Sequence, residues 1–380
     1  MDERRLKESF ERVGAHGDEV ALFFYSHLFL GHPELRDMFP VSMAAQRDRL
    51  LQALGRIVSD VGNLDSLVPF LTDLGRDHRK FGVTAEHYPA VGASLLAALT
   101  HFSGSAWNSQ LAADWAAAYG VIAEVMIGAA AQDERNPPWW DATIVGHERR
   151  TCDIAVLKVS TKQPLPYLPG QSVAMEFERR PRLWRLFSMA NAPRPDGTLD
   201  FHVRIIDGGQ VTGALALDPG IGSALRLGPP IGRLMLDPRS DRPIVMAAGG
   251  TGLAPLKAIL EHLAAEQVSG RRDPPPTHLV VGARTAADLY DAPDLEKMAA
   301  RSPWLTVTAA LSAEPVSLGH GPRTEHGTVA DVLARLGTWR EHDAYVCGSS
   351  AMVAAAASRL QALGTPPERI FVEDFGWSES

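Results

Sequence analysis

Three features of the 380-residue chain could do chemistry. The segment Ala247-Ala248-Gly249-Gly250-Thr251-Gly252-Leu253-Ala254-Pro255 runs from an apolar stretch through three glycines into a helical pattern, with Pro255 suited to a helix's first turn. Such a turn lets backbone approach a ligand closely and aims helix amide groups at an anion. The same residues serve equally well as a tight turn that binds nothing. A second feature is the set of histidines in the first third of the chain: His16, His27, His32, His78, His87 and His101. Any of them could hold a metal, although a helical histidine is more often a surface or core residue. Cys152 and Cys347, the only cysteines, lack the clustered spacing of a zinc or iron–sulfur site. Taken alone, Cys347 reads as a small buried core residue.

Composition narrows what these residues could serve. The length favours two or three domains over one. A chain that is 45% hydrophobic and 22% charged has ample material for several cores, which excludes disorder. Lys+Arg 37 against Asp+Glu 45 leaves a formal charge of −8, so nucleic acid is not an expected partner. Two cysteines fit a reducing compartment. The N-terminal Met1-Asp2-Glu3-Arg4-Arg5 lacks an apolar signal core, and no uninterrupted apolar run approaches the roughly 20 residues needed to span a bilayer. The expectation is a soluble, cytoplasmic protein with no membrane span and no obligate protein partner.

The elements that must position these residues change character twice. Leu50, Leu54, Ile57, Val58 and Val61 form one helical stripe, Val91, Leu95, Leu99 and Phe102 another, and Leu111, Trp115, Ile122, Val125 and Met126 a third. Asn136-Pro137-Pro138 then breaks the helical pattern. Beyond it Leu199-Asp200-Phe201-His202-Val203-Arg204-Ile205 alternates apolar and polar residues as a half-buried strand does, and Leu168-Pro169-Gly170 and Asp207-Gly208-Gly209 signal turns. After Asp237-Pro238 come buried apolar strands at 244–248, 278–281 and 345–347, alternating with helical stretches. The reading is a multidomain protein: an all-α domain over 1–136, an antiparallel β-barrel domain over 137–238 and an α/β parallel-sheet domain over 239–380.

Arg185-Leu186-Phe187-Ser188-Met189-Ala190-Asn191 resembles the R-x-[FY]-S-x-x-N flavin signature of the ferredoxin reductase superfamily. The resemblance implies that Arg185 pairs with the FAD pyrophosphate, Phe187 packs on the isoalloxazine and Ser188 hydrogen-bonds near its redox-active nitrogen. A guanidinium fork suits phosphate, an aromatic face covers a ring, and a hydroxyl can follow a change in protonation. Gly209-Gln210-Val211-Thr212 resembles the family's second pyrophosphate contact, placing Gly209, Val211 and Thr212 at the flavin. Gly250, Thr251 and Gly252 match the loop for the nicotinamide nucleotide, NAD(P)H. Cys347 and Gly348 match the motif beside the nicotinamide, where Ser349 stands in place of a frequent proline. Phe375 matches a C-terminal aromatic residue that in some members covers the flavin.

An all-helical domain joined to such a reductase resembles a flavohaemoglobin, and so identifies the first domain as a globin holding haem b. The resemblance puts Tyr25 over the distal haem face, Phe39 on the haem plane, and Gln46 and Leu50 on one face of the distal helix. His78, within Leu74-Gly75-Arg76-Asp77-His78-Arg79-Lys80-Phe81, matches the iron ligand, and Tyr88 the tyrosine packed near it. Two departures stand out. Asp77 replaces the usual lysine, and Ala130 falls where the family has a glutamate in a hydrogen-bonded network that makes the histidine more electron-donating. Glu134, four residues further on the same helical face, is a conceivable substitute. The resemblance implies that NAD(P)H reduces FAD, FAD reduces haem, and dioxygen and nitric oxide, the small-molecule substrates, become nitrate. The departures leave open a haem flavoreductase with another electron donor or acceptor, or an oxygen-binding sensor.

Overall fold

A computed structural model describes residues 1–206, 208–314 and 323–374. The chain divides into two compact units, the first built on Met1–Trp139 and the second on Trp140–Arg180 with the residues from Trp184 on.

The first unit is helical: α1 (Glu3–Gly14), α2 (Asp18–Gly31), α3 (Ala44–Ser59), α4 (Leu64–His78), α5 (Tyr88–Ser103) and α6 (Ser109–Gln132). The apolar stripes read from the sequence meet in two clusters. Leu28, Val58, Leu95, Leu99 and Trp115 share the larger one, and Ile57, Leu67, Leu71 and Met126 the smaller. By length and composition α6 is long and apolar enough to cross a membrane, although Asp114 and Glu124 interrupt its apolar run. Its Leu111, Trp115, Ala118 and Met126 are buried in the helical unit, and Asp114 is paired with Arg5 at 2.8 Å. It stops at Gln132, before the Pro137-Pro138 pair. Arg79, just past α4, donates to the Asp133 carbonyl at 2.6 Å and to the Asn136 carbonyl at 2.8 Å. Glu134 therefore lies in a turn beyond the helix, exposed, and not on the helical face that would make it a substitute for the missing glutamate.

The second unit begins with six antiparallel strands, β1 (Trp140–Arg149), β2 (Ile154–Thr161), β3 (Ser172–Phe177), β4 (Arg180–Ser188), β5 (Thr198–Arg204), then helix α7 (Gln210–Leu217) and β6 (Ala224–Leu227). They are ordered β4-β3-β6-β1-β2-β5, and a single bridge between Met189 and Phe201 joins the two edges, so the sheet curls into a partly closed barrel. A parallel sheet follows, ordered β10-β9-β8-β7-β11-β12. Its elements are β7 (Ile244–Gly249), α8 (Leu253–Val268), β8 (Thr277–Ala283), α9 (Ala292–Arg301), β9 (Leu305–Leu311), β10 (Arg323–His326), α10 (Val329–Leu336), β11 (Asp343–Gly348), α11 (Ser350–Ala362) and β12 (Ile370–Asp374). Along β7 the side chains alternate. Ile244, Met246 and Ala248 pack with α8 and α9, Val245 and Ala247 with α10 and α11, as a sheet covered on both faces requires.

Helices α4 and α6 touch backbone to backbone at Gly75, where a methyl group would overlap the Met126 carbonyl. Alanine normally favours a helix interior over glycine by about 1 kcal/mol. Gly75→Ala should instead destabilise the globin unit, by roughly 1–3 kcal/mol, because rigid backbone must move. Chemical denaturation followed at the haem absorbance checks this, and a stabilised variant would show that the two helices part freely.

Candidate functional site

The globin site is assembled from three helices and a loop. His78 is the last residue of α4, and its Nδ1 lies 2.7 Å from the carbonyl oxygen of Leu74, one turn back. That carbonyl can only accept, so Nδ1 carries the hydrogen and Nε2 is the ring nitrogen able to bind iron. Burial lowers the pKa of the ring, against the pull of Asp77, which favours the neutral form a metal needs. Tyr25, 5% exposed on α2, receives a hydrogen bond from Gln46 Nε2 on α3 at 3.2 Å, and its hydroxyl lies 3.5 Å from the Gln46 main-chain carbonyl oxygen, to which it can donate. Burial pushes its phenol up to about 12, so it stays a neutral donor. Phe39 meets the Tyr25 ring edge-on at 5.5 Å and joins Leu50 against the same apolar cluster. The segment carrying Phe39 is fastened by Arg36, which donates to the carbonyls of Phe39, Pro40 and Val41.

The proximal departures acquire a physical form. Asp77 makes a close ion pair with Lys80, itself 7% exposed, so the acidic side chain preceding His78 is neutralised within one turn. Tyr88, like Leu74, Ile122 and Val125, packs against the smaller apolar cluster of Ile57, Leu67, Leu71 and Met126. Its carbonyl accepts from Tyr119, but among the described residues its hydroxyl has no hydrogen-bond partner, and Ala130 can supply none. With one histidine held in the right tautomer, an apolar wall and a distal donor, these residues fit haem.

In the second unit a cavity of about 660 Å³ is lined by Arg185, Phe187, Ser188, Thr212, Gly250 and Thr251. Strand pairing sets this up: Ser188 lies opposite Ser172, Phe187 opposite Val173 and Arg185 opposite Met175. Gly250 takes φ +53°, and a methyl group on Gly252 would overlap the Cys347 carbonyl, so the turn packs on the end of β11 as a nucleotide cradle does. Gly252, Cys347 and Val211 are buried behind the wall, and Gly209 and Gly348 are not among the lining residues. Phe375 lies outside the described residues, as does Asp207 of the turn before Gly209. Ser349, where a proline is frequent, caps α11 by accepting from the Met352 amide. A cavity of this size with a guanidinium, an aromatic face and glycine backbone at its wall fits a flavin and a nicotinamide nucleotide.

Several participants were not singled out in the sequence. Ser188 and Ser172 Oγ atoms are 3.0 Å apart, and Ser172 donates to Glu373 Oε1 at 2.8 Å. Glu373 is the β12 partner of Cys347. Burial, reinforced by Asp374 and opposed by Ser172, pushes its carboxyl up to about 7, and among the described residues its Oε2 has no hydrogen-bond partner. Burial and the Glu373 charge hold the Cys347 thiol well above its ordinary range, so it stays protonated. The row Ser188–Ser172–Glu373 could carry a proton between the cavity wall and a carboxyl poised near neutrality. Arg204, Arg284 and His202 also line the cavity. Asn191, the last residue of the flavin signature, has a different task. It is fully buried, donates to the carbonyls of Ala192 and Thr198, and accepts from the Asp200 amide, which fixes the turn after β4.

Because Glu373 binds its proton more tightly folded than unfolded, its contribution to stability is complete below about pH 4.5 and is lost as pH rises toward about 7. Glu373→Gln should lack that decline. Thermal unfolding of both proteins from pH 4 to 8 tests it, and parallel profiles would place the carboxyl near its ordinary pKa.

Comparison with known proteins agrees with this division of labour. Residues 22–126 match the Globin family, 141–235 the oxidoreductase FAD-binding domain and 246–358 the oxidoreductase NAD-binding domain. A flavohemoprotein of Bordetella parapertussis is 30% identical over 95% of this chain and 94% of its own, and one of Bacillus subtilis 26% over 98% and 96%. The flavohemoglobin of Malassezia yamatoensis, solved with bound FAD and heme, shares the fold with a TM-score of 0.82 at 18% identity, covering 98% of both chains. On identity and coverage together, the chain belongs to the flavohaemoprotein family.

Proposed function

We propose that this oxidoreductase, which passes electrons from NAD(P)H through FAD to haem, uses them to convert nitric oxide and dioxygen to nitrate. The observation that carries the reading is the buried Tyr25 hydroxyl, oriented by Gln46 and kept protonated, in the same unit as a histidine whose Nε2 is reserved for iron. Bound haem would supply the iron for the two gases, and bound FAD the conversion between a two-electron hydride donor and a one-electron acceptor. The chain's own residues do the rest. Tyr25 donates to the distal ligand, Phe39 and Leu50 exclude water, and Leu74 orients His78. Arg185 holds pyrophosphate, Phe187 covers the flavin ring, and Ser188 with Ser172 and Glu373 moves a proton. Nitric oxide loses three electrons in becoming nitrate and dioxygen takes up four, so each turnover needs one electron and one hydride serves two turnovers. We also infer a cytoplasmic location, which the two free thiols support.

A second reading draws on one observation: the Tyr88 hydroxyl has no partner among the described residues, and Ala130 has no side chain to offer one. Without a carboxylate behind it, His78 is a weaker electron donor and the haem potential is higher. That would slow nitric oxide turnover and favour other acceptors. Ala130 lies one helical turn beyond Met126, on the side of α6 that packs on α4.

His78→Ala should lose haem and keep FAD. Tyr25→Phe should keep both and lower nitric oxide consumption at limiting dioxygen roughly tenfold, the worth of about one hydrogen bond. Wild type should consume two nitric oxide per NAD(P)H, measured with a nitric oxide electrode and coenzyme absorbance together. Coenzyme oxidation that ignores nitric oxide would contradict the assignment. Ala130→Glu, but not Ala130→Gln, should lower the haem midpoint potential, and equal potentials in all three proteins would show that this position has no purchase on His78.

A further inference from the structure

His202 is a buried residue that neither the flavin signature nor the glycine turn accounts for. It stands on β5, is 5% exposed, and lines the cavity. Its Nδ1 lies 2.8 Å from the hydroxyl of Tyr290, which stands between β8 and α9 in the NAD-binding part and is 7% exposed. The rings meet edge to face with centroids 5.3 Å apart. A buried phenol must place its hydrogen on an acceptor. Among the described residues the Tyr290 hydroxyl has one hydrogen-bond partner, His202 Nδ1. Burial, reinforced by the Asp291 charge, holds the phenol well above its ordinary pKa, so the hydrogen stays on the oxygen and is shared with Nδ1. Burial and the Lys257 and Arg150 cations oppose protonation of the ring, and Asp294 alone favours it. The ring is therefore neutral, with its own hydrogen on Nε2.

Those cations are themselves occupied. Lys257 pairs with Asp291 at 2.6 Å, and Arg150 with Asp294 at 3.3 Å, which leaves the His202 Nε2–H as an unassigned donor at the wall. Its position is on the coenzyme side. Arg204, two residues along β5 and so on the same face, comes within 3.4 Å of where a Gly250 methyl group would stand. Tyr290 shares a small recess with Gly250 and Leu253 of the glycine turn.

We propose that His202 is a binding residue for the pyridine nucleotide, donating from Nε2–H to an acceptor oxygen of the coenzyme, and that Tyr290 is the positioning residue that fixes this tautomer. The proposal rests on NAD(P)H being the reductant. FAD carries the same classes of oxygen, in ribose and pyrophosphate, so the test must separate the two dinucleotides.

The experiment measures ferricyanide reduction by the holoprotein with NADH and with NADPH, together with FAD content, for wild type, His202→Leu, His202→Gln, Tyr290→Phe and the double variant His202→Leu/Tyr290→Phe. Glutamine reaches a donor to about the place of Nε2, whereas leucine offers none. For whichever coenzyme wild type uses, His202→Leu should raise KM roughly fivefold to tenfold, more than it lowers kcat. Tyr290→Phe should raise it about twofold to fivefold, His202→Gln should return it to within about twofold of wild type, and the double variant should be no worse than His202→Leu. Unchanged KM in all variants overturns the proposal, as does a glutamine variant as impaired as leucine. Loss of FAD with KM unchanged in the remaining flavin-loaded protein also overturns it, by assigning the donor to the flavin. Should leucine prevent folding, Tyr290→Phe, which removes a single oxygen, decides by the same KM criterion. Wild type inactive with both coenzymes would instead refute the reading of NAD(P)H as reductant.

Discussion

One hydrogen bond, from His78 Nδ1 to the Leu74 carbonyl oxygen, decides whether the globin unit can hold iron by a single imidazole. It settles the tautomer and aims the ring, and it exists only while the last turn of α4 is helical. The surrounding structure protects that turn from both ends. Gly75 lets α6 press against α4 backbone to backbone, and Arg79 grips the Asp133 carbonyl where α6 stops. Lys80 pairs with Asp77 beside His78. On the distal side the same economy holds, with one amide, Gln46, orienting one hydroxyl, Tyr25.

The reductase unit applies a related constraint. Polar groups buried at and behind its cavity wall pair with one another, so the place of a shared proton is dictated by its neighbour. Ser172 can donate once, and it donates to Glu373, which leaves its oxygen to accept from Ser188. Tyr290 likewise leaves His202 no choice of tautomer. These pairs join the barrel strands to the parallel-sheet part. Packing of the two around the nucleotides and definition of their protonation are thus one structural event.

What was legible in the sequence was local. Helical stripes, the two proline signals and the alternation of strands located all three architectures, because each depends on residues within a few positions of one another. The glycine turn and the Arg185–Ser188 run announced themselves for the same reason. What stayed hidden depends on distant partners. Ser172 and Glu373 are 201 positions apart, His202 and Tyr290 are 88 apart, and neither pair has a local pattern. The contact of Arg79 with the Asp133 carbonyl just past the end of α6, across 54 positions, is hidden for the same reason. Asn191 shows the converse, a motif residue that looks like a ligand contact and serves a turn.

One chain carries electrons from a pyridine nucleotide through a flavin to a haem, for which we propose His78 as the iron ligand. Anaerobic stopped-flow mixing of the oxidised holoprotein with NADH, and separately with NADPH, reads it directly. With at least one coenzyme the flavin absorbance should bleach first, and the ferric haem bands should then convert to ferrous at a rate independent of protein concentration. Haem that stays ferric while the flavin is fully reduced, or that is reduced at a rate proportional to protein concentration, would contradict it.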